Sequence, residues 1–228
     1  MTAGKAEVPE RKVEQRYGAL LVILVASFGI QGIAPEATVW RGVVTVLVGA
    51  ASVIAFRAAD MPTRRLRITG ALVAVVVGAA LVALAVGDSQ LAATFTGLAN
   101  AVLVGLAPPA IVVGVVRSMR VHGAVTLQVL FGALCLYLLV GMFFAFVYSV
   151  IDQIGGDPFF ADDIEATPAR SIYFSFSTLT TVGYGDLTAG SNLGHTLSVT
   201  EALVGQIYLV TVVSVVVANL VPRRRLDH

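Results

Sequence analysis

Residues 180 to 186 read Thr180-Thr181-Val182-Gly183-Tyr184-Gly185-Asp186, and this heptad lies between two long apolar segments. Gly183 and Gly185 admit backbone angles that residues with a Cβ resist, so successive carbonyls can turn to one side of the strand. Val182 and Tyr184 then send their side chains the other way, into surrounding protein, while the Thr181 hydroxyl adds an oxygen beside the carbonyls. A glycine-containing string of this length is by itself usually a turn. Its surroundings set that reading aside. Residues 124–151 are almost wholly apolar; a polar stretch and a short helical candidate follow, then the heptad, then a second apolar run over 197–221.

The short helical candidate carries its own start signal. Thr167 can cap the N-terminus, Pro168 suits the first helical position, and the run 169–179 contains no breaker. The negative end of its dipole then lies beside the heptad, where it favours a cation.

With 57% hydrophobic and 13% charged residues and a mean hydropathy of +0.88, the chain is read as a polytopic membrane protein, and a soluble fold is excluded. Spanning segments are expected near 17–32, 42–56, 68–86, 91–116, 124–151 and 197–221. The second is short for a bilayer unless Arg41 and Arg57 snorkel outward from its ends. The basic residues set the orientation, because cytoplasmic flanks retain Lys and Arg. With the N-terminus inside, Arg41 and Arg170 are the only ones of the fifteen Lys and Arg residues to fall outside. A net charge of +1 thus conceals a strong asymmetry between the two faces.

The first apolar stretch is not a cleaved signal peptide: its polar lead is long, and no small-residue cleavage site precedes a soluble domain. Cys135 is the sole cysteine, so no intrachain disulfide forms. His122, His195 and His228 are scattered without metal-ligand spacing, and no catalytic set of nucleophile, acid and base appears. An enzyme is therefore not expected, nor is a nucleic-acid partner.

The heptad and its flanks resemble the selectivity filter and pore module of the tetrameric potassium-channel superfamily. The pore likeness covers 124–221, and the whole chain resembles six-helix prokaryotic members that place a four-helix peripheral domain before the pore. This resemblance implies an all-α membrane protein with six transmembrane helices, a re-entrant pore helix and a filter loop. Its parts would be a cytoplasmic tail at 1–16, a four-helix voltage-sensor-like domain and linker at 17–123, a pore domain at 124–221 and a short cytoplasmic tail at 222–228. It also implies a homotetramer in which Thr181, Val182, Gly183 and Tyr184 bind K+, the permeant ion and the only cofactor-like species expected. A single re-entrant loop cannot enclose an ion unless several copies surround it.

The remaining site residues are read against that pattern. Thr180, Gly185 and Asp186 flank the ion-binding positions as filter support. Many related pores brace the filter with a pore-helix carboxylate and with an indole that bonds the filter aspartate. The corresponding positions are read as Ser177 and Phe174, which cannot make those bonds, since Ser is shorter and Phe lacks a donor. Glu201, an acid within the last apolar helix, is read as bracing the filter or pore helix rather than sensing protons. Gly205 sits where similar channels carry a gating hinge, and a close helix contact explains it equally well.

Channels of this kind that are gated by voltage carry a basic residue at every third position of the fourth helix, whereas residues 91–116 contain none. Arg117 and Arg120 keep the spacing but lie at the cytoplasmic end, where they anchor the helix. Pro108 and Pro109 predict a kink or break there. Steep voltage gating is not expected. The stretch 222–228 leaves no room for a cytosolic ligand-binding domain, so the stimulus is expected to act through the membrane part, through lipids or through a separate regulatory partner. The expected location is a prokaryotic plasma membrane, crossed several times with both termini cytoplasmic; Arg in excess of Lys fits a high-GC bacterium. Two alternatives stand beside a potassium channel. One is a non-selective cation channel, against which Tyr184 argues. The other is a partner-regulated subunit of a potassium transport system, against which the single heptad argues.

Overall fold

The computed structural model describes residues 11–33, 37–59, 62–86, 89–122, 126–156 and 158–220. Of the tail expected at 1–16, residues 1–10 lie outside the described residues, as do the tail expected at 222–228 and the side chains of Arg120 and His122. Seven helices carry the described chain: α1 (Arg11–Ile33), α2 (Thr38–Ala58), α3 (Thr63–Val86), α4 (Ser89–His122), α5 (Leu127–Ile154), α6 (Pro168–Leu179) and α7 (Asn192–Leu220). Four of them, α2 to α5, are long and apolar enough to cross a membrane. In α1 the apolar part is the shorter stretch Tyr17–Ile33. The 29 residues of α7 reach about 43 Å at 1.5 Å per residue, more than a hydrocarbon core.

One hydrophobic core runs from α1 to α6. Leu20 and Leu24 of α1, Val48 and Ala55 of α2, Leu103 and Ile111 of α4, and Leu139 and Met142 of α5 are all buried in it, as is Ile172 of α6. Small residues let these backbones approach, which is how apolar helices gain contact when lipid offers no hydrophobic drive. At Gly49 an added Cβ would lie 2.6 Å from Val77, and at Gly141 the same distance from the Phe176 ring. By contrast, α3 packs only on α2 and α4 and buries just Val73 and Ala80 within the chain. Its Ile68, Leu72, Val75 and Val82 are exposed, as suits a lipid-facing helix.

Of the kink or break expected at Pro108 and Pro109, the break does not occur: α4 runs through both residues as one helix. Each proline withholds an N–H from the preceding turn. The carbonyls so deprived are those of Val104 and Gly105, four residues back. The Ser52 hydroxyl lies 2.9 Å from the neighbouring Leu103 carbonyl and 3.0 Å from that of Val48, tying α2 to α4 just ahead of them. Ala107, Ala110 and Ile111 are buried around it. Tertiary contact on both sides of the prolines holds the helix together.

Candidate functional site

The site is built on α6. Thr167 accepts a hydrogen bond from the Arg170 amide at 3.3 Å, and Pro168 occupies the first turn, where a missing N–H costs nothing. One face of the helix turns Ser171, Ile172, Phe174, Ser175 and Leu179 inward. Ser149 of α5 donates to Ser171 at 2.9 Å. The Ser175 hydroxyl lies 2.7 Å from the Gly141 carbonyl and also bonds the Glu201 carboxylate. Phe28 of α1 meets Phe176 edge-on at 4.8 Å, so the peripheral helices reach α6 directly.

The end of α6 organises the heptad through backbone groups. The Ser177 carbonyl accepts from the Val182 amide at 2.9 Å and from the Gly183 amide at 3.2 Å, while Thr178 accepts from Thr181 at 2.9 Å. These bonds satisfy carbonyls that a helix end otherwise leaves open. Thr180 bonds back to Phe176 through its amide at 3.0 Å and its hydroxyl at 2.6 Å. Thr181, Gly183 and Gly185 have φ of +60°, +53° and +78°, whereas Val182 and Tyr184 between them do not enter the positive region. A positive φ at a β-branched residue such as Thr181 costs on the order of 1–3 kcal/mol, and residues held in this way cluster at functional and switch segments. Residues 180–186 are all exposed in the single chain, Tyr184 at 69%.

Two side-chain assignments from the sequence change. Phe174 does not face Asp186. It packs inward against Tyr148, Phe159 and Phe160 in an aromatic cluster that supports the C-terminal part of α5. The adjacent Tyr173 takes the place expected of an indole: its hydroxyl donates to Asp186 at 2.8 Å, and its ring stacks on Tyr184 at 6.0 Å with planes 8° apart. The bond to Asp186 holds the Tyr173 phenol above its ordinary pKa. Ser177 bonds the heptad through its carbonyl, a role its side-chain type does not reveal. Tyr173→Phe keeps the stack and removes the donor, so the segment should lose its hold on Asp186. Amide exchange of Gly185 and Asp186 should then quicken several-fold while that of α6 stays unchanged; exchange at the unmodified rate would contradict the role.

Glu201 and Gly205 of α7 meet α6 from behind. Glu201 is fully buried and accepts from Tyr148 at 2.6 Å as well as from Ser175, linking α7 to α5 and α6. At Gly205 an added Cβ would stand 2.2 Å from the Leu179 carbonyl oxygen, the closest approach of any glycine described. A further tie joins α7 to α5, where the Tyr208 hydroxyl bonds the Ala133 carbonyl. The segment before α6 is pinned to the chain after the heptad by Ala161 N–H to Thr188 and Gly190 N–H to Phe159, both at 2.9 Å, and Asp152 accepts from the Phe159 amide at 2.7 Å. Helix, heptad and following helix therefore form one framed unit. Arg117 lies exposed at the far end of α4, away from that unit.

Among the described residues no group of three or more His, Cys, Asp or Glu is placed to hold a metal ion. No curated protein and no solved structure matches the chain. A family model described as ion channel does match, over residues 132–221, from within α5 through α6, the heptad and α7. That similarity, falling on the framed unit and nowhere else, points to an ion channel and not to an enzyme.

Proposed function

We propose that the chain is a potassium-selective channel in which four copies surround a central axis, each contributing the 180–186 strand as a filter. The observation that carries this reading is the alternation of φ from Thr181 to Gly185. In an ordinary strand all residues share one dihedral region and carbonyls point alternately to either side. When every second residue is of the opposite hand, successive carbonyls turn the same way. Four such strands would present stacked rings of oxygens from Thr181, Val182, Gly183 and Tyr184, which replace the hydration shell of K+. The exposed strand in a single chain, and the exposed Leu203, Ile207 and Val210 along α7, leave surface for three further copies.

On this reading α6 is the re-entrant pore helix, α5 and α7 are the outer and inner helices, and α1 to α4 complete six crossings with both termini cytoplasmic. Gly205 in the inner helix is retained as a hinge position as well as a contact. Tyr184, stacked on Tyr173, supplies the aromatic cuff that a non-selective pore lacks, which favours potassium over the alternatives. The peripheral helices are a scaffold rather than a voltage sensor. Moving one charge through the field is worth about 2.3 kcal/mol per 100 mV, and the first basic residue of α4 is Arg117, close to its end. Purified protein should run as four chains in native mass measurement. In planar bilayers its opening should change little across the physiological voltage range, and removing the charges of Arg117 and Arg120 together should leave the slope unaltered. A conducting monomer, or a steep curve that flattens in the double variant, would contradict these assignments.

A further inference from the structure

A cavity of about 730 Å³ lies where the peripheral helices meet the N-terminal end of α6. Its wall takes in the end of α1, the start of α2, the start of α4, the last turns of α5 and the stretch that caps α6 at Thr167. By the basic-residue asymmetry this is the outward side of the membrane. The volume is typical of small-molecule sites. Apolar and polar groups share the lining, unlike the dry contacts between helices elsewhere in the chain.

A buried polar atom on its wall has no partner. Asn100 of α4 is 3% exposed, lines the cavity, and its side-chain oxygen makes no hydrogen bond. The side-chain oxygen of Gln153, on the same wall, is buried and unbonded too. Buried polar atoms are almost always satisfied, so two of them around one cavity mark a place that something else fills. Charge narrows the occupant. Arg41 lies on one part of the wall and Asp152 and Glu165 on another, and no ion pair joins Arg41 to either acid. Asp152 commits one carboxylate oxygen to the Phe159 amide and keeps the other. A ligand with a phosphate and an ammonium a few atoms apart meets both signs of charge, with amide oxygens left to accept from the ammonium. Depth points the same way: Trp40, of the type enriched at the level of lipid headgroups, lines the wall at 40% exposure.

We infer that this cavity binds a phosphate–amine zwitterion of the phosphoethanolamine class, with Arg41 on the phosphate and Asp152, Glu165 and Asn100 on the ammonium. Two carboxylates against one guanidinium reject a headgroup that carries a negative charge alone. An occupant held there touches α2, α4, α5 and the cap of α6 at once, so it ties the peripheral helices to the framed unit. The inference stands whatever the selectivity of the pore.

The full-length protein in mild detergent would be titrated, under native mass spectrometry, with phosphatidylethanolamine, phosphatidylglycerol and soluble phosphoethanolamine. Phosphatidylethanolamine should be retained at least tenfold better than phosphatidylglycerol. Asn100→Leu, which removes the unbonded buried amide oxygen and puts an apolar group of similar size in its place, should leave the fold intact and erase that preference. Arg41→Gln should erase it as well, and Arg41→Lys should restore part of it. Soluble phosphoethanolamine binding as tightly as the lipid would identify the free zwitterion as the ligand, and weaker binding would identify the lipid; both agree with the wall chemistry. Equal retention of the two lipids, or an undiminished preference in Asn100→Leu and Arg41→Gln, would overturn the inference.

Discussion

Gly183→Ala is expected to abolish ion flux while leaving the protein folded and assembled. Gly183 has a φ of +53°, and no atom stands within 4 Å of where a Cβ would be built in the single chain. The substitution therefore meets no steric wall within the chain. Its cost is conformational, about 1–2 kcal/mol for an L-residue held in the left-handed region. The strand can escape that cost by rotating one peptide, which turns a carbonyl out of line. In the proposed four-copy filter the defect is multiplied around the axis, so a cost small beside folding stability becomes decisive for an ion that needs every oxygen. Liposome flux at background level, with four chains retained by mass, is the expected result. Flux within a few-fold of the unmodified protein would show that the alternation of φ is dispensable.

Gly205→Ala is expected to fail for the opposite reason, since its cost is steric. A Cβ 2.2 Å from the Leu179 carbonyl oxygen must push apart two backbones, not a pliable side chain, and overpacking of this kind costs on the order of 1–3 kcal/mol. Leu179 is the last residue of α6, and its carbonyl also lies 3.3 Å from the Tyr137 hydroxyl. Displacing it shifts the origin of the heptad, which begins at the next residue. Both thermal stability and flux should fall. If Gly205 served bending alone, alanine would lower opening while melting stayed unchanged, so the melting temperature separates the contact from the hinge.

Much of the architecture was legible because its signals are local. Apolar length marked the long helices, and the Thr167-Pro168 pair placed the start of α6 where the structure has it. Extents were underestimated where charges lie inside a helix: α3 begins at Thr63, ahead of Arg64, Arg65 and Arg67, not at residue 68. Helices that reach past the hydrocarbon core carry such residues at their ends, and hydropathy alone trims them. The two prolines of α4 do not break it, because their effect depends on neighbours, here Ser52 and the buried face shared with α2.

Within the site, the choice between Tyr173 and Phe174 turned on the phase of α6. Adjacent residues on a helix point about 100° apart. The sequence held a clue in the hydroxyl, because an aromatic that must bond a carboxylate needs a donor and only Tyr173 has one. No such clue existed for Ser177, which acts through its carbonyl. Nor is the meeting of Phe28 with Phe176 marked by any period, as it joins residues remote in the chain. Glu201 stood out as an acid in an apolar helix, but its partners Tyr148 and Ser175 emerge only when three helices are assembled.

Selectivity is the centre of the account, and reversal potentials measure it most directly. Protein reconstituted in planar bilayers would be recorded with potassium on one side and sodium on the other, then with the gradients exchanged. The oxygen rings assigned to Thr181, Val182, Gly183 and Tyr184 predict a reversal potential that follows the potassium gradient and ignores sodium. A reversal potential that tracks the sum of the two ions would contradict it.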